Sequence, residues 1–291
     1  MLVITGATGQ LGSRVVGRVL ARVPAEEVAV SVRDQAAARG LADRGVRVRV
    51  GDFTDPATLT HAFEGARRVL VVSASIRGPG AVAANVAAIE AARAAGAERV
   101  LYTSHQASSP TSAFAPQHTH AAVEAHLVGH GLPFTALRNG FYVSTLAHFL
   151  GDAVASGRLV LPEDGPVSWT HHDDLAEVAA AALVGDAGLE GLDGLTPPLT
   201  APGPLDLAAV AEIAAEVLGR PVEREVVGDD AWKHAAVAGG MPPAAADFTL
   251  GMFRAARAGE LVADDPTLER VLGRPAVSAR AAIAAMVGAL G

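Results

Sequence analysis

Residues 1–12 read MLVITGATGQLG, a short apolar run followed by a turn with glycines at positions 6, 9 and 12. Apolar residues then recur at helical spacing, which predicts a strand, a tight turn and an amphipathic helix. We expect Gly6 to permit the turn, Gly9 to let the backbone approach a pyrophosphate, and Gly12 to allow close packing of the helix. The amide groups at the start of the helix would face the phosphates of a dinucleotide. The residues predicted to hold the pyrophosphate are Gly6, Thr8, Gly9, Gln10 and Leu11.

The composition of the 291 residues limits the class of protein. Half of them are hydrophobic, enough for one large domain or for a main domain with a smaller lobe. The sequence has no cysteine, which excludes disulfides and thiolate metal sites and favours the cytoplasm. A net charge of −8 argues against general nucleic-acid binding. We see no signal peptide and no membrane-spanning run, so no membrane partner is expected.

Further apolar segments continue the alternation of strand and helix. Strands are predicted at residues 28–32, 46–50, 69–72, 99–103 and 134–137. Helices are predicted at residues 35–44, from Asp55-Pro56 onward, at 80–95 and at 119–129, with a loop over 105–118. Such alternation requires parallel pairing and right-handed crossovers. Residues 1–138 are therefore predicted to form an α/β domain with a Rossmann-like, doubly wound parallel sheet that binds NAD(P).

The alternation becomes irregular after residue 138. Helical stretches are predicted near residues 143–156, 173–184, 206–218 and 268–288, separated by joints rich in proline and glycine. We interpret residues 139–291 as a smaller C-terminal, substrate-side lobe interleaved with the end of the sheet. Asp173 or Asp174 is expected to cap the helix that follows, because a carboxylate accepts hydrogen bonds from free amide groups there.

Arg33 directly follows the second predicted strand. NADP-binding proteins usually place an arginine there for the 2′-phosphate, whereas NAD-binding proteins place an acid for the ribose. The guanidinium matches a phosphate and can also stack on adenine. A solvated loop arginine is the alternative, and the neighbouring Asp34 could bind a ribose or repel a phosphate. We predict NADP(H) as the cofactor, with NAD(H) left open.

Two other strand ends offer cofactor contacts. Asp52 and Phe53 follow the third predicted strand, where an adenine ring would lie, although a loop acid and a core phenylalanine explain them nearly as well. Ser73, Ala74 and Ser75 follow the fourth predicted strand at the carboxyl edge of the sheet, where ligands bind in open α/β sheets. Their small side chains leave room for the ribose and the nicotinamide.

Four segments of the chain form a recognisable set: residues 6–12 (GATGQLG), 32–33 (VR), 102–104 (YTS) and 137–142 (LRNGFY). Together they resemble the atypical short-chain dehydrogenases of the NmrA-like group, and the similarity runs over most of the chain. The last segment is the most discriminating, since the glycine motif is shared by many other proteins. The resemblance implies a Rossmann domain with a small C-terminal lobe, NADPH binding and reduction of quinone-like acceptors.

The Tyr-x-x-x-Lys pair that typical short-chain dehydrogenases use for proton transfer is absent. Tyr102 has Gln106 at the lysine position. Tyr142 has Leu146 there, and the only lysine, Lys233, lies far away in the sequence. Sugar epimerases and ordinary alcohol dehydrogenases therefore fit poorly. Hydride transfer to an electron-poor quinone can proceed without the Tyr-x-x-x-Lys pair, because the developing oxyanion needs only a hydrogen-bond donor or a solvent proton.

His120 lies on the predicted helix 119–129, near the position where some relatives carry a lysine. Its imidazole could bind the ribose or supply a proton near neutral pH, and an ordinary helix histidine is the alternative. Ser104, at the end of the fifth strand, and Tyr142, after the sixth, are also predicted to orient the acceptor. Tyr142 and Phe141 could stack on a flat ring, or they could simply pack the two lobes together.

His126 and His130 are four residues apart on the same predicted helix, a spacing that metal ligands use. No third ligand of a recognisable motif accompanies them, and His-Glu-x-x-His does not occur. We therefore expect no metal site.

The sequence as a whole predicts a cytoplasmic NADPH-dependent oxidoreductase that transfers hydride to a quinone or a similar conjugated carbonyl compound. A non-enzymatic NADP(H)-binding redox sensor is the main alternative, because the absence of the catalytic pair suits both. A biosynthetic reductase or isomerase acting on a secondary-metabolite carbonyl is a third hypothesis. The sequence leaves open the identity of the acceptor and whether the chain forms a homodimer.

Overall fold

A computed structural model describes residues 1–186 and 192–291 of the chain. Up to residue 139, strands alternate with helices. The strands are β1 (Leu2–Thr5), β2 (Val28–Val32), β3 (Arg47–Val50), β4 (Arg68–Val71), β5 (Arg99–His105) and β6 (Phe134–Asn139). The helices are α1 (Gln10–Leu20), α2 (Arg39–Ala42), α3 (Pro56–Ala62), α4 (Gly80–Ala94) and α5 (Ala115–Gly129).

The remainder of the described chain contains shorter strands and more helices. The strands are β7 (Phe141–Tyr142), β8 (Arg158–Pro162), β9 (Trp169–Thr170), β10 (Gly194–Leu195) and β11 (Glu223–Val227). The helices are α6 (Ala147–Ser156), α7 (His172–Val184), α8 (Leu207–Leu218), α9 (Asp229–Ala238), α10 (Pro243–Arg257), α11 (Thr267–Leu272) and α12 (Ala279–Leu290). Among the described residues, no helix is long and apolar enough to cross a membrane.

Seven of the described strands form one sheet in the order β10-β6-β5-β4-β1-β2-β3, and every pairing in it is parallel. Strands β1 and β2 are buried along their whole length, which explains why they are apolar except for the buried hydroxyl residues Thr5 and Ser31. After β3 the chain returns to the other side of β1 to form β4. This reversal opens a crevice at the carboxyl ends of β1 and β4, where sheets of this type bind ligands.

Helices cover both faces of the sheet. Helices α1 and α7 pack together on one face, and α3, α4 and α5 lie side by side on the other. A third apolar cluster belongs to the C-terminal part and joins α6, α8, α10 and α12 around Trp169 and Phe253. The prediction of an α/β, Rossmann-like doubly wound sheet is confirmed. The division at residue 138 stays a prediction, since α7 and β10 from beyond it complete the main sheet and its cover.

A ladder of ion pairs joins α1 to α7. Arg14 and Arg18 lie on α1, and Arg22 follows at the same four-residue spacing just after the helix ends. Arg14 Nε lies 2.9 Å from Asp173 Oδ1, and Arg18 Nε lies 3.2 Å from Glu177 Oε2. Arg22 contacts the carboxylates of Glu177 and Asp186. The ladder therefore fastens the helix of the glycine turn to a helix from the later half of the chain.

Three predicted boundaries are wrong. The stretch 268–288 is two helices, because Gly273 adopts a left-handed conformation with φ +65° and Pro275 follows it. The stretch 35–44 holds only a 3₁₀ turn and the short α2. Helix α5 begins at Ala115, inside the predicted loop 105–118, and accommodates Pro116 in its first turn.

The predicted cap of α7 is also wrong. The helix begins at His172, and the capping residue is His171, whose Nδ1 accepts a hydrogen bond from the backbone N–H of Asp173 at 3.3 Å. The two predicted capping acids lie inside the first turn. Asp173 pairs with Arg14 of the ladder, and the buried Asp174 pairs with Arg274 at 2.7 Å. Their carboxylates tie α7 to other elements instead of closing its end.

Candidate functional site

The glycine turn after β1 is built as the sequence predicts. Gly6 has φ +61°, and its carbonyl accepts a hydrogen bond from the N–H of Gly9 at 2.9 Å. A Cβ atom on Gly12 would lie 2.1 Å from that same carbonyl oxygen, so a side chain there would push the helix off the turn. Helix α1 starts at Gln10 without a side-chain cap. Its first amide groups are therefore open to an anion.

The other predicted pyrophosphate residues differ in exposure. Thr8, Gly9 and Gln10 are exposed on the turn, whereas Leu11 is buried in the core beneath it. Only the backbone of Leu11 could contact a phosphate.

Arg33 is exposed at the carboxyl end of β2. The Asp34 carboxylate accepts a hydrogen bond from the N–H of Ala36 at 2.8 Å and so is directed into its own loop. Asp52 accepts two hydrogen bonds of 2.8 Å from the backbone and hydroxyl of Thr54. These bonds lower the pKa of Asp52, and the positive charge of Arg33 adds to the effect. Arg33 and Asp52 thus share one end of the crevice.

Phe53 is half-buried and packs against the apolar cluster beneath α3 and α4. This is the packing that the alternative interpretation of Phe53 predicts.

The loop after β4 is held in place by two polar side chains that the sequence analysis missed. Thr103 on β5 accepts a hydrogen bond from Ser73 N at 2.8 Å, and its hydroxyl donates to Ser73 Oγ at 3.1 Å. The buried Asn85 on α4 accepts from Ala74 N at 3.0 Å. Ser75 is exposed. The sequence does contain a pattern that indicates a role for Asn85, since it is the one side-chain amide in an alanine-rich, apolar helix.

His120 receives a hydrogen bond from a tyrosine on the neighbouring strand. The hydroxyl of Tyr102, on β5, lies 3.0 Å from His120 Nδ1. Tyr102 is fully buried, and burial raises its pKa well above the ordinary value, so the phenol keeps its proton. In the described part of the chain His120 Nδ1 is the one hydrogen-bond partner of this buried hydroxyl, so we assign the phenol as the donor. The other ring nitrogen of His120, Nε2, must then carry the hydrogen in the neutral imidazole.

Burial lowers the pKa of His120 to about 4, so the ring is neutral near pH 7. Near neutral pH the ring therefore offers an N–H donor rather than a charged acid, and its role in the reaction stays a prediction. His105 stacks beside it with ring centroids 6.0 Å apart, and burial lowers the pKa of His105 to about 3. The Nδ1 of His105 lies 2.8 Å from Gln117 Nε2.

Phe141 and Tyr142 lie in different surroundings. Phe141 is buried, with its ring edge-on to both His105 and Trp169 at 5.4 Å. It joins the lobes by packing, which was the alternative interpretation. Tyr142 is half-buried, and its ring lies 4.3 Å from that of His172. Burial raises the pKa of Tyr142, so its hydroxyl keeps its proton.

Ser104 is part of a buried charge cluster. Its hydroxyl donates to Glu124 Oε1 at 2.6 Å, and Arg138 binds the same carboxylate through two hydrogen bonds of 2.9 and 2.7 Å. Burial raises the pKa of Glu124, but the bonds from Arg138 and Ser104 outweigh it and lower the pKa overall. Glu124 lies one helical turn after His120 on α5. The cluster therefore fixes α5, and with it His120, against β5 and β6.

Comparisons with known proteins identify the family to which the chain belongs. The profile of the NmrA-like family matches residues 1–259. Quinone oxidoreductase 2 of Escherichia coli K12 is 32% identical over 279 residues, which cover 94% of each chain. The NAD(P)H azoreductase of Xenophilus azovorans is 31% identical over 95% of this chain and 94% of its own.

Two solved structures with bound cofactor share the fold. The E. coli quinone oxidoreductase 2 complexed with NADPH superimposes with a TM-score of 0.90 and 30% identity, over 97% of this chain and 98% of the other. The Citrobacter triphenylmethane reductase complexed with NADP(H) gives a TM-score of 0.89 and 30% identity, over 97% and 99%.

Proposed function

Because the chain belongs to the NmrA-like family, we propose that it is an NADPH-dependent oxidoreductase that reduces quinones or similar conjugated carbonyl compounds. The observation that carries this proposal is that two features occur together: a glycine turn leading into a helix without a side-chain cap, and a neutral N–H donor on His120. The relatives described above are named for quinone, azo and triphenylmethane compounds. All three are conjugated compounds, as the proposed acceptor is.

The crevice fits a dinucleotide. The turn has no room for a Cβ at Gly12, and the first amide groups of α1 face outward without a capping side chain. Thr8, Gly9 and Gln10, with the backbone of Leu11, would hold the pyrophosphate. Ser73, Ala74 and Ser75 would border the ribose and nicotinamide. The bound cofactor supplies the hydride.

Arg33 would bind the 2′-phosphate, which distinguishes NADPH from NADH. The carboxylate of Asp34 does not oppose it, since it is directed into its own loop. Asp52 is held by Thr54 and would accept from the exocyclic amine of the adenine with its remaining lone pairs. NADP(H) is thus the preferred cofactor.

His120 would stabilise the oxygen of the acceptor as negative charge develops there. With Nδ1 occupied by Tyr102, its Nε2–H is the donor. A ring whose pKa is near 4 is not protonated at neutral pH, so the proton that completes the reduction comes from water. Tyr142 would offer a second protonated hydroxyl, and Ser104 would act indirectly by holding Glu124.

The test is the oxidation of NADPH by a simple benzoquinone, followed by the loss of the reduced-nicotinamide absorbance. We expect wild-type protein to turn over and His120→Ala to lose about 10²-fold in kcat, as on removal of an oxyanion donor. His61→Ala, which removes an exposed histidine of α3 outside the crevice, serves as the matched control. Absence of turnover across a panel of quinones would contradict the proposal.

The redox sensor is the second candidate, favoured by the absence of the Tyr-x-x-x-Lys pair. Lys233 lies on α9 and pairs with Asp247, away from the crevice. A sensor binds NADPH and NADP⁺ with different affinities but oxidises no NADPH with any acceptor. Titration of both cofactor forms beside the turnover assay therefore separates the two functions.

A further inference from the structure

A second cluster of histidines lies at the other end of α5. The Nε2 atoms of His126 and His130 lie 2.9 and 2.8 Å from the same oxygen, Oε1 of Glu90. Glu90 belongs to α4, the helix packed beside α5. Three ligand atoms from three residues therefore converge within 4.8 Å of one another. The third ligand that the sequence did not reveal is thus supplied by the neighbouring helix.

The environment of this cluster suits a bound cation. The side chain of His130 is only 6% exposed, while those of His126 and Glu90 are 31% and 36% exposed and leave one side accessible. Arg93 holds the other carboxylate oxygen, Oε2, at 2.9 Å, which orients Oε1 toward the histidines.

We propose that Glu90, His126 and His130 form a site for one divalent transition-metal ion, with zinc as the best fit. Two imidazole nitrogens and one carboxylate oxygen are donors that zinc prefers, and water would complete a tetrahedral shell. Metal–ligand bonds of about 2.0–2.2 Å place such donors roughly 3.3 Å apart. The present distances of 2.8–2.9 Å between the histidine Nε2 atoms and Glu90 Oε1 would need to lengthen by only a few tenths of an ångström.

The site is separate from the cofactor crevice. Helices α4 and α5 both start near the carboxyl edge of the sheet and run back to the amino edge, because β4, β5 and β6 are parallel. Glu90 and His126 lie in the later part of these helices, and His130 is the residue that caps the end of α5. The ion would therefore link α4 to α5 at the edge opposite the glycine turn, and it would stabilise the fold without entering the reaction.

Zinc binding by the full chain, purified without a polyhistidine tag, tests the proposal. We expect calorimetry to show one zinc per chain, cobalt to give the visible bands of a tetrahedral site, and zinc to raise the melting temperature. His126→Ala and Glu90→Gln should each weaken binding at least about 100-fold, since even outer partners of metal ligands contribute 10–100-fold. Both variants should keep wild-type affinity for NADPH, which shows that they fold.

His61→Ala is the matched control, because His61 pairs with Glu64 at 3.3 Å but has no second histidine beside it in the described structure. This variant should bind zinc as the wild type does. The proposal is overturned if the wild type binds no zinc or cobalt, or if His126→Ala binds them as tightly as the wild type.

Discussion

Replacing Arg33 with alanine should separate the two nicotinamide cofactors. The guanidinium can donate two hydrogen bonds to a 2′-phosphate, and bonds to charged groups contribute about 1.5–3 kcal/mol each when shielded from water. Arg33 is exposed, so solvent screening reduces this contribution well below the sum. We expect a loss of about 2 kcal/mol, which is a roughly 30-fold rise in the Kd for NADPH.

The assay is a titration of wild type and Arg33→Ala with NADPH and with NADH, at low and high salt. NADH lacks the 2′-phosphate, so its Kd should change by less than about 3-fold, the part due to adenine stacking. In the wild type, the difference between the Kd values for NADPH and NADH should become smaller at high salt, because salt screens the attraction between Arg33 and the 2′-phosphate. Arg44→Ala, an exposed arginine just before β3 at the amino edge, should leave both affinities unchanged. Equal losses for NADPH and NADH in Arg33→Ala would refute the assignment.

Three further predictions concern the site and its supports. Tyr102→Phe removes the donor that fixes the ring of His120, so we expect kcat to fall about 10-fold with little change in the KM for NADPH; an unchanged kcat would count against this role. Gly12→Ala should lower the free energy of unfolding in denaturant by about 1–3 kcal/mol and weaken NADPH binding, because its Cβ would clash with the turn. Gly17→Ala is the control on the same helix: an added Cβ there has no atom within 4 Å, so this variant should be neutral or stabilising. Burial lowers the pKa of His105 to about 3, below the 6.5 of the unfolded chain, so the unfolded chain binds more protons in acid. This histidine alone should lower the free energy of unfolding by on the order of 3 kcal/mol between pH 6.5 and 4, and His105→Asn should therefore show a smaller slope of stability with pH.

The parts of the fold that the sequence predicts are those specified locally. The glycine turn is one, because Gly6 needs a positive φ and Gly12 has no room for a side chain, and both requirements act within a few residues. The central strands are another, since burial on both faces makes their sequences mainly apolar. Short strands such as β7 and β10 span two residues each and are too brief to leave a pattern.

The contacts that determine the chemistry join residues distant in the sequence. The neutral state of His120 depends on its burial and on Tyr102, 18 residues earlier on another element. The support given by Glu124 requires Arg138 from the next strand. Each of these side chains is ordinary within its own segment. Their roles arise only when the parallel register places β5, β6 and α5 together.

The arginine ladder between α1 and α7 bears on how this chain can be divided. The apolar face of α1, with Val15 and Val19, is covered by a helix that begins at His172. A fragment ending at residue 138 would expose that apolar face to solvent and leave three arginines without their acidic partners. We therefore expect the fragment to aggregate rather than fold alone. During synthesis, α1 can likewise reach this packing only after α7 has left the ribosome. The segment that binds the nucleotide is made first, yet it reaches its final packing only after more than half of the chain has been translated.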